Sequence, residues 1–163
     1  MAVDSVFITG CSAGGIGSAI AIEFQKQGLH VFATARNVKK LGHLKELANV
    51  TLLRLDVTLK QSVEAAVEAV RRSEKGGGKL RYLVNNAGVG ITTPLIHADP
   101  ELGSDAREAW EVNYWGVLRV TRAFSELLIQ EKGCVVNIGS GAGLVYWPWT
   151  GLSPIFLSCL SLA

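Results

Sequence analysis

The sequence predicts a doubly wound α/β fold, a parallel sheet in the order 3-2-1-4-5 with helices on both faces. Short β-branched runs alternate with helical periodicities along the chain, four glycines crowd the first strand-to-helix turn, and no run repeats. Right-handed crossovers then restrict the strand order. At 163 residues, 48% of them apolar and 18% charged, the chain suits one packed domain. Residues 1–143 are assigned to that domain and 144–163 to an apolar, divergent tail.

Val3 to Thr9 reads as the first strand. Ile16, Ile20 and Phe24 recur every four residues and give the following helix one buried stripe, which Gly28 ends. His30 to Thr34 forms a second strand, Val38 to Leu47 a short helix, and Val50 to Leu55 a third strand, apolar enough that both faces should be covered. Val63, Ala66, Val67 and Val70 mark a helix that stops before Gly76, Gly77 and Gly78, a triplet that reads as a flexible linker. Leu80 to Val84 is the fourth strand. A continuous helix runs past Trp110, Val117, Phe124 and Leu128 into Gly133, and Cys134 to Ile138 is the fifth strand.

Composition removes several function classes. The net charge of +2 is spread out, with no basic run, which argues against nucleic acid as a ligand. Cys11, Cys134 and Cys159 are too scattered for a disulfide framework or a zinc site, as are His30, His43 and His97, so no metal is expected and a reducing compartment is. The opening MAVDSVFITG lacks the charge and the long apolar core of a signal peptide.

The turn TGCSAGGIG carries the strongest chemical signal. Gly10, Gly15 and Gly17 let the backbone turn sharply and approach a pyrophosphate, the amides at Ile16 and the helix start stabilise its charge, and Ser12 can add a hydroxyl. The second strand ends ATARN, placing Arg36 where an acidic residue would hold a ribose 2′-hydroxyl, with Lys39 and Lys40 behind it. That favours a 2′-phosphate, and therefore NADP(H) over NAD(H).

TGCSAGGIG, LDVT at Leu55 to Thr58, NNAG at Asn85 to Gly88 and VNYWG at Val112 to Gly116 together resemble the short-chain dehydrogenase/reductase family, over Val3 to about Leu152. The glycine turn and HVFATAR are most similar to fungal NADPH-dependent 1-acyldihydroxyacetone phosphate reductases. The turn holds one residue more than the commoner TGxxxGIG. The resemblance implies a Rossmann fold, an oxidoreductase of a lipid-like carbonyl substrate, and a location on the cytoplasmic side, with the endoplasmic reticulum or lipid droplet, peripheral membrane association and a homo-oligomer all compatible with it. It also implies that Asp56 contacts the adenine, that Asn86, Ala87 and Gly88 line the cofactor, that Asn113 holds a water in a proton relay, and that Ser140, in VVNIGSGAG, orients the substrate carbonyl. The residues themselves admit simpler roles: Asp56 as a helix cap, Asn85 and Asn86 as partners of loop backbone.

Family spacing from Ser140 puts the general-acid tyrosine at Ser153 and its lysine at Leu157, where the chain reads GLSPIFL. Both residues are absent, and Pro154 disfavours the helix that would carry them. Tyr146 is no substitute, because its i+4 partner is Thr150 and WPW separates them. The uncharged stretch Gly139 to Ala163 has three readings: a membrane anchor broken by Pro148, Gly151, Ser153 and Pro154, a substrate-lining loop around Tyr146 to Trp149, or a truncation in which the family's last strands are missing. The third is the expectation, with the fifth strand left as an apolar edge.

Overall fold

The computed structural model describes residues 4–141. The tail from residue 144, with Tyr146, Ser153 and Leu157, lies outside them, as does the domain boundary assigned to it.

Five strands make one parallel sheet among the described residues, β1 (Ser5–Ile8), β2 (His30–Ala35), β3 (Val50–Arg54), β4 (Tyr82–Asn85) and β5 (Cys134–Asn137), in the expected order β3-β2-β1-β4-β5. Four α-helices are present among the described residues, α1 (Ile16–Lys26), α2 (Lys60–Arg71), α3 (Asp105–Trp110) and α4 (Val117–Gln130). Strand periodicity divides the core. Phe7, Phe32 and Leu83 face Val63, Val67, Val70 and Phe124 of α2 and α4, while Val6, Ile8, Val31, Ala33 and Val84 face Ala21 of α1 together with Leu41 and Leu44. The rings of Phe7 and Phe124 lie 4.4 Å apart by centroid and lock α4 to the middle of the sheet.

Four expectations are corrected. The segment after β2 is a 3₁₀ turn, Val38–Leu44, because Leu41 and Leu44 must both reach the core over a short path. The third strand ends at Arg54 and is only half covered: it stands at the sheet edge with β2 on one side, and Val50 to Leu53 remain partly accessible. The glycine triplet is a packed turn rather than a linker. A Cβ on Gly76 would come within 2.7 Å of Phe32 Cζ, and Gly78 holds a φ of +67°. The continuous helix past Trp110 is interrupted by a π turn, Glu111–Gly116, where Gly116 passes so close to Val57 that a Cβ would approach its Cγ2 to 2.8 Å. All four residues of β5 are exposed among the described residues.

Candidate functional site

The C-terminal ends of β1, β2, β3 and β4 converge on a cleft of about 560 Å³, the position at which doubly wound sheets bind ligands. Gly10, Ser12, Gly15, Ile16, Arg36, Asp56, Asn86, Ala87 and Gly88 line it, so nine of the ten residues assigned to a cofactor share one concave surface.

The tenth, Gly17, lies beneath. A Cβ there would stand 2.3 Å from Asn86 Nδ2 and 2.6 Å from Gly10 O, so the close approach of α1 to the fourth strand requires glycine. Asn86 in turn donates from Nδ2 to the carbonyls of Thr9 and Gly10 at 2.8 and 2.9 Å. Thr9 completes the joint, its Oγ1 accepting from the amides of Asn86 and Ala87 at 2.9 and 2.8 Å. The glycine turn is thus clamped to the NNAG segment by side chains on both strands. Gly10, at φ +76°, allows the contact, since a Cβ would meet Ala87 Cα at 2.8 Å.

The additional turn residue is also accounted for. Gly15 N donates to Ser12 O at 3.1 Å, closing a turn in which Gly14 takes a φ of +77° with nothing within 4 Å of its Cβ position. The turn bulges into open space at Gly14. No side chain caps α1, and the amides of Ile16 and Gly17 find no acceptor among the described residues. They are donors available at the positive end of a helix dipole.

In the same lining, Arg36 and Lys40 stand exposed with no carboxylate within 4.0 Å among the described residues. Two uncompensated cations and the orphan amide of Ile16 line the same cleft and make it complementary to a polyanion. Asp56 does not cap α2, whose N-cap is Leu59 and carries no side-chain bond; its Oδ1 instead accepts from Thr58 N at 3.0 Å and Thr58 Oγ1 at 2.7 Å, stiffening the loop, and the residue lines the cleft.

Asn113 and Ser140 are not part of the lining. Asn113 is buried in the π turn, where Oδ1 accepts from Val89 N at 2.9 Å and Nδ2 donates to Val89 O at 2.8 Å. Its side chain thereby braces the Gly88–Val89 wall, and the mid-helix asparagine has its partner in backbone. Ser140 is exposed beyond β5, three residues past Asn137, which pairs with Asn85 at the same end of the sheet. Sequence reasoning overlooked Thr9, Asn37, Val57, Val89 and Val112; the last four line the cleft. Only Thr9 left a signal, a hydroxyl at the end of an apolar strand where a buried polar group needs partners. Cys11 is structural: it is fully buried, and burial raises its thiol to about 12. Among the described residues no helix is long and apolar enough to cross a membrane.

The family profile described as short chain dehydrogenase matches residues 4–152. Among curated relatives, a short-chain dehydrogenase of Penicillium crustosum is 48% identical over 148 residues, covering 91% of this chain and 53% of the relative. The NADPH-dependent 1-acyldihydroxyacetone phosphate reductase of Schizosaccharomyces pombe is 43% identical over 135 residues, covering 83% of this chain and 44% of that protein. The chain therefore spans about half the length of the curated relatives it matches. Among solved structures, a short-chain dehydrogenase from Streptomyces avermitilis superposes with a TM-score of 0.86 at 26% identity, over 98% of this chain and 58% of that one. An alcohol dehydrogenase from Thermococcus sibiricus complexed with 5-hydroxy-NADP gives 0.85 at 28% identity, over 96% and 66%.

Proposed function

The chain belongs to the short-chain dehydrogenase family, and from that premise we propose that it binds NADP(H) in the glycine-turn cleft, as a carbonyl reductase by descent whose own turnover is weak or nil. One observation carries the reading: the uncompensated pair Arg36 and Lys40 shares the lining of a cleft of about 560 Å³ with the glycine turn and the orphan amide of Ile16. Gly10 and Gly15 line the cleft without a side chain, so the backbone there can approach a pyrophosphate and the residues fit a dinucleotide.

In this reading the amides at the start of α1 and the Ser12 hydroxyl hold the pyrophosphate. Arg36 and Lys40 hold the 2′-phosphate, a charge-assisted contact of about 1.5 to 3 kcal/mol. Asp56 has Oδ2 left for the adenine, while Asn86, Ala87 and Gly88 border the nicotinamide side. Bound NADPH supplies a hydride to a carbonyl carbon. Ser140 is the residue assigned to orient that carbonyl, and Asn113 acts by holding the wall at Val89. The relative named as a 1-acyldihydroxyacetone phosphate reductase supports a lipid-like ketone as the substrate class.

A proton donor is the weak part of the machinery. Ser153 and Leu157 stand where family spacing puts the tyrosine and lysine. Without an acid near the working pH, reduction loses about 10²- to 10⁴-fold. That substitution favours a second reading, an NADP-binding module without catalysis. Titration of the chain with NADPH, followed by nicotinamide fluorescence, tests the common part of both: saturable binding in the micromolar range supports it, and no binding up to millimolar NADPH refutes it. Turnover of an acyl ketone phosphate at rates typical of enzymes, roughly 1 s⁻¹ or more, would overturn the assignment of a missing acid.

A further inference from the structure

The segment carrying Arg36 and Lys40 has few ties to the rest of the molecule. Within it the hydrogen bonds are local, Lys39 N to Asn37 Oδ1 and Lys40 N to Asn37 O, each 3.0 Å. Residues 36–40 are all exposed. A 3₁₀ run of seven residues is longer than that geometry sustains by itself, so its placement depends on tertiary contacts.

Three such contacts are present, one of them to the glycine turn and one to the helix that follows it. Leu41 and Leu44 are fully buried beside Ala21 and Ala33. Ala13 N, inside the turn, donates to Lys40 O at 3.1 Å. Ser18, buried in the first turn of α1, meets His43 Nε2 at 2.5 Å, a bond that either imidazole tautomer can make. The leucines fix depth but not rotation, because apolar packing is not directional. The Ala13–Lys40 bond holds the near end of the 3₁₀ turn, and the Ser18–His43 bond, at the far end from Arg36, fixes its rotation against the helix whose N-terminus faces the cleft.

We propose that Ser18 and His43 form a positioning strut that determines how strongly the cleft distinguishes a 2′-phosphorylated adenosine from an unphosphorylated one. The proposal rests on the reading of this cleft as an NADP(H) site. Neither side chain touches the ligand. The strut acts through the placement of Arg36 and Lys40, which meet only the 2′-phosphate, whereas Asp56 and the glycine turn hold the rest of the nucleotide from other elements. Loss of the strut should therefore weaken recognition of the 2′-phosphate selectively.

Calorimetric titration of the full chain with adenosine 2′,5′-bisphosphate and with AMP provides the test, because the two probes differ only in the 2′-phosphate. Ser18→Ala and His43→Ala should each lower the preference for the bisphosphate by roughly three- to tenfold, the worth of one hydrogen bond. AMP affinity should stay within about twofold on that account, and His43→Gln, which keeps a donor and an acceptor at similar reach, should restore most of the preference. Equal losses for both probes, or an unchanged ratio in both alanine variants, would overturn the strut. An Arg36→Ala control separates this from failure of the underlying reading: if the unaltered chain shows no preference, or Arg36→Ala leaves it intact, the cleft assignment itself falls.

Discussion

Replacing Gly17 by alanine probes the joint on which the cleft is built. The new methyl would lie 2.3 Å from Asn86 Nδ2 and 2.6 Å from Gly10 O, and neither neighbour can retreat without loss. Moving Asn86 breaks its bonds to the Thr9 and Gly10 carbonyls, which at about 0.5 to 1.5 kcal/mol each gives roughly 1 to 3 kcal/mol. Moving Gly10 instead shifts the turn, at about 1 to 3 kcal/mol for an overpacked site. Alanine's helix preference returns at most about 1 kcal/mol. Either relaxation costs about 2 kcal/mol at the middle of its range, so with at most about 1 kcal/mol returned the expected net cost is about 1 to 2 kcal/mol by urea denaturation, with coenzyme affinity reduced in the same variant. Gly14→Ala supplies the contrast. It has open space but a φ of +77°, so only the left-handed backbone penalty of about 1 to 2 kcal/mol applies. A Gly17→Ala chain as stable as the unaltered one would refute the clamped joint.

Gly76→Ala should cost about 1 to 3 kcal/mol because its Cβ meets the Phe32 ring, while Gly42→Ala, with nothing within 4 Å, should change stability by less than about 0.5 kcal/mol; equal melting temperatures for the two would restore the linker reading. Asn113→Ala removes both partners of Val89 and should lower coenzyme affinity with a stability loss of about 1 to 3 kcal/mol, checked by titration alongside urea unfolding. His30 is buried against Thr51 Oγ1 at 2.9 Å, and burial, aided by Lys75, holds its imidazole below the ordinary value. The unfolded chain then takes up the proton first, so this contribution is intact above about pH 6.5 and lost as pH falls from there through the folded value. His30→Gln should flatten the acid side of the urea midpoint profile, and an unchanged slope would show that His30 is not its source.

Much of the fold was legible because its determinants are local and periodic. The strand order followed from alternation and crossover handedness, and the cleft lining from the glycine turn, LDVT and NNAG motifs. What escaped the sequence depends on distances between segments far apart in the chain. Gly76 looks like a linker until Phe32 is brought beside it. Thr9 looks like the polar end of a strand until two amides from the fourth strand arrive at its hydroxyl. The π turn has the apolar periodicity of a helix, and the break shows only once Asn113 is seen bonded to the backbone of Val89. The half-covered third strand reflects a different error. Its apolar run suggested an interior place, although an edge position was already implied by the strand order.

Calorimetric affinities for NADPH and NADH, in the unaltered chain and in Arg36→Asp, test the central claim most directly. The account predicts a preference for NADPH of tenfold or more, the equivalent of about 1.4 kcal/mol or more, which the aspartate abolishes or reverses by repelling the 2′-phosphate and accepting a ribose hydroxyl. Equal affinity for both coenzymes in the unaltered chain, or a preference that survives the substitution, would contradict it.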